Sequence, residues 1–153
     1  AVAASHACFG GVLFLCNLDS KRDCVHVRYF VEGMWRILQH PEPDDYVRAT
    51  GETRAVREFV EKAFAQTGVT VRWQGAGVDE QGIDAASGRV LVRVDPRYFR
   101  PTEVALLIGD PSKARAKLGW QHKISFDELV AEMVAADLKN VESDRSRVFA
   151  AVE

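Results

Sequence analysis

Residues 95–104 concentrate the side chains that could bind an anion. Their sequence is DPRYFRPTEV, in which Arg97 and Arg100 flank an aromatic pair. A diphosphate needs fixed positive donors, and an arginine fork supplies paired hydrogen bonds that a lysine does not. Glu103 follows, and its carboxylate could accept hydrogen bonds from hydroxyls such as those of a ribose. The alternative is structural, with Arg97 as a solvated surface residue and Glu103 as its salt-bridge partner.

A second cluster of polar and charged side chains, NLDSKRD, covers residues 17–23. It follows the apolar stretch that begins at Val12, which has the character of a buried strand. Asn17 and Arg22 are therefore expected in a loop at a strand end, where ligands are commonly held. Mixed charges are also ordinary in a solvated loop, so the residue types alone leave both interpretations open.

Acid/base, nucleophilic and metal chemistry have weaker signals. GxSxG, P-loop, HExxH and GxGxxG motifs do not occur in the 153 residues, and no tyrosine has a lysine four residues later. Cys8, Cys16 and Cys24 are odd in number and eight residues apart, which argues against a disulfide framework. His6, Cys8, Cys24 and His26 could gather around zinc, but their spacing matches no familiar zinc signature. We predict no catalytic residue and no metal site.

The composition indicates one domain spanning residues 1–153, because 47% of the residues are hydrophobic and 27% are charged. The formal net charge is −2, so the basic excess of a nucleic-acid-binding surface is missing. The longest apolar run, residues 7–16, is interrupted by two glycines and is too short to span a bilayer. It also lacks the basic start and cleavage site of a signal peptide. We therefore predict a cytoplasmic protein without a membrane partner.

Strand and helix periodicities mix over short distances, and these elements must position both polar clusters. Strands are predicted within residues 12–19, 46–50, 69–73 and 89–95, and helices within residues 27–40, 51–68, 111–120 and 124–141. In the first helix, Phe30, Met34, Ile37 and Leu38 fall at helical spacing, and Pro41 is expected to terminate it. Residues 74–88 have no period and predict an exposed loop, and the tail beyond Glu142 is expected to fray. The mixture predicts an α/β or α+β layer.

Three segments in this order carry a family resemblance. NLDSKRD, FVEGMWRILQHPEPDDYVRATGETRAVREFVEKAF and DPRYFRPTEVALLIGDPSKARAKLGW resemble the C-terminal part of GDP-mannose 4,6-dehydratase, within the extended short-chain dehydrogenase/reductase group. The likeness runs over about residues 12–138. It implies an α/β fold, namely the C-terminal substrate-binding portion with a mixed small sheet and helices, the Rossmann core being absent. It also implies that the anion is the diphosphate of GDP-mannose or a related GDP-sugar.

The resemblance further implies an NADP-dependent lyase. Enzymes of this family oxidise the sugar at C4, eliminate water across C5 and C6, and return the hydride to C6, which gives GDP-4-keto-6-deoxymannose. Carried over by position, the diphosphate arginines fall on Arg22 and Arg100 and the ribose-binding acid on Glu103, with Asn17 beside them. The glycine-rich turn, the Thr/Ser–Glu pair and the YxxxK motif belong to the family's N-terminal half. We therefore expect this chain alone to bind no cofactor.

One segment departs from the family pattern. RDCVHVRYFV stands where the family has RDWGHA, an acidic residue and YV, so Cys24 replaces a tryptophan, Val25 a glycine and Tyr29 the acid. A lost tryptophan opens space around the loop that carries Arg22. Two alternatives to the GDP-sugar-binding part of an enzyme are a non-catalytic binding or assembly module and an inactive fragment. The assembly alternative implies a homo-oligomer, or a partner that covers the missing Rossmann face.

Overall fold

A computed structural model describes residues 2–3, 11–104 and 106–150, with backbone alone for 144–150. Six strands are described, namely β1 (Leu13–Leu15), β2 (Lys21–Arg22), β3 (Arg54–Ala55), β4 (Val71–Gln74), β5 (Gln81–Asp84) and β6 (Val90–Val94). The described helices are α1 (Val27–Gln39), α2 (Val56–Ala65), α3 (Ser112–Leu118) and α4 (Phe126–Ala150). The predicted α/β class is confirmed.

A mixed four-stranded sheet in the order β1-β6-β5-β4 forms the centre of the fold, and β2 and β3 make a separate antiparallel pair. β1 runs parallel to β6, with Leu13 opposite Val92 and Leu15 opposite Val94, whereas the other pairings are antiparallel. Parallel neighbours end at the same edge of a sheet. The segments that follow β1 and β6, which contain the two polar clusters, therefore leave the sheet side by side.

The main core forms between α2 and the sheet. Val60 and Phe64 on α2 pack with Leu91 and Val92 on β6, because the apolar residues of α2 recur at helical spacing and those of β6 include a buried pair. The long helix α4 packs against the other side of α2. Its Val130 and Val134 bury against Ala63.

Capping residues define the start of α4 and the end of α3. Ser125 and Glu128 form the capping box at the start of α4, with Ser125 Oγ 2.7 Å from the Glu128 carboxylate. Gly119 ends α3 in the left-handed conformation, with φ of 60°. α4 continues to Ala150, beyond Glu142, and fraying of this tail stays a prediction.

A second core cluster anchors α1. Trp120 is fully buried beside Tyr29 and Ala114, and its indole N–H donates to the Tyr29 carbonyl at 2.7 Å. Gly33 permits this approach, since an added Cβ would lie 2.9 Å from Trp120 Nε1 and 2.7 Å from Arg48 Cδ. The contact ties α1 to the chain that follows α3.

The helix predicted within residues 27–40 is present as α1, but its apolar residues at helical spacing are largely exposed. Tyr29 and Gly33 are buried, whereas Met34 is 50% exposed and Leu38 is 80% exposed. The indole of Trp120 requires the small residue Gly33, so the helix turns that side inward and presents its apolar side chains outward.

Two secondary-structure predictions are wrong. Residues 46–50 form no strand, and the Thr50 N–H donates to the Asp23 carboxylate at 2.9 Å rather than to a neighbouring strand. Residues 74–88 contain β5, with Gly82 and Ile83 buried, instead of a continuous exposed loop. None of the described helices is both long and apolar enough to cross a bilayer.

Candidate functional site

Asn17 joins the ends of β1 and β6. Its side-chain Nδ2 donates to the Arg100 carbonyl at 2.7 Å, and its Oδ1 accepts from the Arg100 N–H at 2.9 Å. These two bonds fix the backbone of Arg100 relative to β1, because an asparagine amide has only two ends and both are engaged. Asn17 thus positions Arg100.

Arg22 and Glu103 form an ion pair across the same edge of the sheet. Arg22 Nη2 lies 2.7 Å from Glu103 Oε1, and Arg22 Nη1 also donates to the Lys21 carbonyl at 2.8 Å. The Glu103 side chain is 14% exposed. Its second oxygen, Oε2, has no hydrogen-bond partner among the described residues, so it is available as an acceptor.

The structural alternative for Arg97 is correct about its exposure but wrong about its partner. Arg97 pairs with Asp95, at 2.7 Å from Nη2 to Oδ2, and not with Glu103. Its side chain is 80% exposed, as the structural alternative expects. Hydrogen bonds from the Arg97 guanidinium and N–H lower the pKa of Asp95 below its usual range. This local pair stabilises the turn that follows β6, because residues two apart in a turn are within reach of each other.

Arg100 differs from the other two arginines. It is exposed, and its guanidinium has no hydrogen-bond or ion-pair partner in the described part of the chain. Its backbone is nevertheless fixed by Asn17. An arginine whose backbone is fixed and whose guanidinium donors are available is suited to binding a multiply charged anion.

These side chains meet around one open cavity of about 500 Å³. It is lined by Phe14, Leu15, Cys16, Arg22, Arg97, Tyr98, Arg100 and Glu103. A neighbouring cavity of about 260 Å³ shares Glu103 and includes Asn17. The structure therefore brings Asn17, Arg22, Arg100 and Glu103 together, although residues 17–22 and 100–103 are far apart in the sequence.

Phe14 and Tyr98 also line the cavity and were not among the predicted site residues. Phe14 is the one outward residue of the Leu-Phe-Leu strand β1, and Tyr98 lies between the two arginines of the DPRYFRPTEV segment. Their signal in the sequence is an aromatic residue at an outward position beside the basic cluster.

The altered loop after Arg22 is closed by Asp23. The Asp23 carboxylate accepts from Thr50 N, Thr50 Oγ1 and Gly51 N at 2.8–3.1 Å. Cys24 is half-buried beside it, and burial, followed by the charge of Asp23, raises the pKa of the Cys24 thiol. The thiol therefore stays protonated at neutral pH, and Asp23 holds the loop in place.

The possible zinc set cannot be assembled from the described residues. Cys24 and His26 are described, whereas His6 and Cys8 lie outside the described residues. His26 instead caps α1, because its Nδ1 accepts the Arg28 N–H at 3.1 Å. Within residues 2–3, 11–104 and 106–150, no group of three potential metal ligands is placed to hold an ion.

A family model and individual relatives identify the same family for this chain. Residues 1–133 match the family GDP-mannose 4,6 dehydratase. GDP-mannose 4,6-dehydratase from Sinorhizobium fredii is 55% identical over 134 residues, which cover 88% of this chain and 38% of the relative. GDP-mannose 4,6 dehydratase from Homo sapiens is 52% identical over 125 residues, which cover 82% of this chain and 34% of the relative. The chain thus spans less than two-fifths of the length of these relatives.

Solved structures support the fold. RMD from Pseudomonas aeruginosa, determined in complex with NADPH, aligns with a TM-score of 0.70 and 16% identity over 91% of this chain and 40% of that protein. UDP-glucose 4-epimerase from Bifidobacterium longum, in complex with NAD+ and UDP, aligns with a TM-score of 0.65 and 20% identity over 91% of this chain and 38% of that protein. At these identities the likeness concerns the fold alone.

Proposed function

Because the chain belongs to the GDP-mannose 4,6-dehydratase family, we propose that its 153 residues form one domain that carries the GDP-sugar-binding part of such an enzyme. The observation that carries the proposal is the convergence of Arg22, Arg100 and Glu103 on one cavity. The cavity is within the range of about 300–1,000 Å³ common for small-molecule sites. Nucleotide-sugar metabolism of this kind also favours a cytoplasmic location.

Each side chain has a distinct role in the proposed complex. Arg100 donates to the diphosphate from a guanidinium that has no partner among the described residues. Arg22 adds positive charge, and its pairing with Glu103 fixes its position. Glu103 accepts from ribose hydroxyls through Oε2. Asn17 acts through the backbone of Arg100 and needs no contact with the ligand.

The full reaction, dehydration of GDP-mannose to GDP-4-keto-6-deoxymannose, is proposed for the whole enzyme and not for these residues alone. NADP supplies the hydride chemistry in that reaction, and the described residues do not fit it. A dinucleotide pyrophosphate binds where a strand leads through a glycine-rich turn into a helix. Here β1 leads through residues 16–20 into β2. The share of the chemistry that belongs to this chain is therefore binding and orientation of the GDP-sugar.

A calorimetric titration with GDP-mannose tests the proposal. We expect binding in the micromolar range, about −8 kcal/mol, and a loss of about tenfold or more in Arg100→Ala because a charged hydrogen bond is removed. Arg72→Ala is the matched control, since Arg72 is an exposed arginine on β4 and lines neither cavity. Equal affinity in parent and Arg100→Ala would contradict the assigned site. A folded chain that gives no heat with GDP-mannose would instead favour the inactive fragment.

An assembly role is the second candidate, and it rests on the outer face of α1. Val27, Val31, Met34, Trp35 and Leu38 recur at helical spacing and are each 50–80% exposed. An exposed apolar stripe of this kind commonly marks a protein–protein interface. Two candidates could cover this stripe, namely a second copy of the chain and the remaining part of a family enzyme.

Light scattering tests the assembly role. We expect a particle heavier than the 17.0 kDa of one chain, and a single chain for the variant Trp35→Glu, because a carboxylate in the stripe opposes burial. Leu106→Glu is the control, since Leu106 is similarly exposed but lies outside α1. A parent protein that remains a single chain at all concentrations would count against self-assembly through this face.

A further inference from the structure

Two aromatic rings face solvent in the cavity that contains the arginines. Phe14 is 57% exposed and Tyr98 is 64% exposed, and both line the 500 Å³ cavity. Large aromatic side chains are usually buried because they remove much apolar area from water. Two of them exposed beside three arginines therefore form an apolar wall in an otherwise basic cavity.

The structure fixes both rings at this place. Phe14 is the middle residue of β1, where Leu13 and Leu15 face the core, so the alternation of the strand directs Phe14 outward. Tyr98 is in the turn after β6, where its N–H donates to the Asp95 carbonyl at 3.0 Å. The Arg97 guanidinium lies over one face of the Tyr98 ring, 5.5 Å from its centroid. Strand geometry and a hydrogen-bonded turn thus hold the two rings without covering them.

The chemistry of the cavity matches the three parts of a purine nucleoside diphosphate. Guanidinium groups suit the diphosphate and a free carboxylate oxygen suits the ribose, whereas neither explains an aromatic wall. A flat heteroaromatic base is the remaining part, and stacking on aromatic side chains is a common means of holding one. We propose that Phe14 and Tyr98 form the stacking surface for the guanine base, an inference that rests on the proposed binding of a GDP-sugar.

The test measures GDP affinity in variants that remove or keep each ring. Phe14→Ala and Tyr98→Ala are each expected to weaken GDP binding by about tenfold, which is within the range for loss of one base–aromatic stack. Tyr98→Phe and Phe14→Tyr keep the aromatic faces and should bind as the parent does. Leu38→Ala controls for loss of an exposed apolar side chain outside the cavity, since Leu38 is on α1. All five side-chain changes are at exposed positions, so thermal unfolding is expected to remain that of the parent.

A spectroscopic signal separates stacking from an indirect effect on the arginines. In proton NMR of bound GDP, the H8 resonance of guanine should shift upfield in the parent because of the aromatic ring current. This shift should shrink in Phe14→Ala and Tyr98→Ala but persist in Tyr98→Phe. Parent-like GDP affinity and H8 shift in both alanine variants would overturn the stacking proposal alone. Failure of the parent itself to bind GDP would overturn the proposed function and the stacking with it.

Discussion

Replacing Asp23 by alanine is expected to lower the free energy of unfolding by about 3 kcal/mol, because hydrogen bonds to a charged group contribute roughly 1.5–3 kcal/mol and are not additive. The Asp23 carboxylate accepts from both the N–H and the hydroxyl of Thr50 and from the N–H of Gly51. Thr50 is buried, so its N–H would lose its partner without gaining water. Equilibrium unfolding in urea measures the change.

The same variant should also bind GDP-mannose more weakly, since Asp23 follows Arg22 directly and holds that loop. Asp23→Asn is the matched control, because it keeps one carbonyl oxygen in nearly the same place. We expect a smaller loss of stability for Asp23→Asn than for Asp23→Ala. Equal stability of Asp23→Ala and parent would show that the loop after β2 does not depend on this carboxylate.

Trp120→Ala is expected to lower the free energy of unfolding by about 3–5 kcal/mol, the usual range for replacing a buried tryptophan or phenylalanine by alanine. Trp120 is fully buried and packs on Tyr29 and Ala114, so its removal leaves a cavity between α1 and α3. The total free energy of unfolding of a typical domain is about 5–15 kcal/mol. The variant is therefore expected to unfold at a much lower urea concentration, and circular dichroism against urea gives the midpoint.

Trp120→Phe separates packing from hydrogen bonding at this position. Phenylalanine keeps most of the apolar contact but cannot donate to the Tyr29 carbonyl, which Trp120 Nε1 approaches at 2.7 Å. We expect an intermediate loss of stability, on the order of 1–3 kcal/mol, for the lost hydrogen bond and the lost contacts of the larger ring. A Trp120→Phe variant as unstable as Trp120→Ala would mean that the indole N–H, rather than the ring volume, dominates the contribution.

The candidate site was largely predictable because its residues lie in two short charged segments that each follow a strand. The sequence could not reveal the pairing within the site. Glu103 binds Arg22, which lies in the other segment, whereas Arg97 binds the nearer Asp95. Which arginine reaches which carboxylate depends on the register of β1 against β6, and periodicity carries no information on register between distant strands.

The errors in the predicted secondary structure also arise from contacts between residues distant in the sequence. Residues 46–50 have the composition of a strand, but Thr50 binds a side chain instead of a neighbouring strand. β5 gave no signal because Gly82 holds a buried position in it, where an added Cβ would lie 3.0 Å from Trp73 and 3.1 Å from Val92 Cβ. Glycine normally weakens a strand prediction, yet here the neighbouring side chains leave room for nothing larger.

The parallel pairing of β1 with β6 bears on how fast a working site appears during folding. Asn17 and Arg100 are 83 positions apart, and Arg22 and Glu103 are 81 apart. Contacts of such long sequence separation close large loops, and chains rich in them fold slowly. We therefore expect refolding molecules to form helices α2 and α4 before they acquire the proposed nucleotide affinity. Ligand binding would then report the last steps of chain assembly, later than any helical signal.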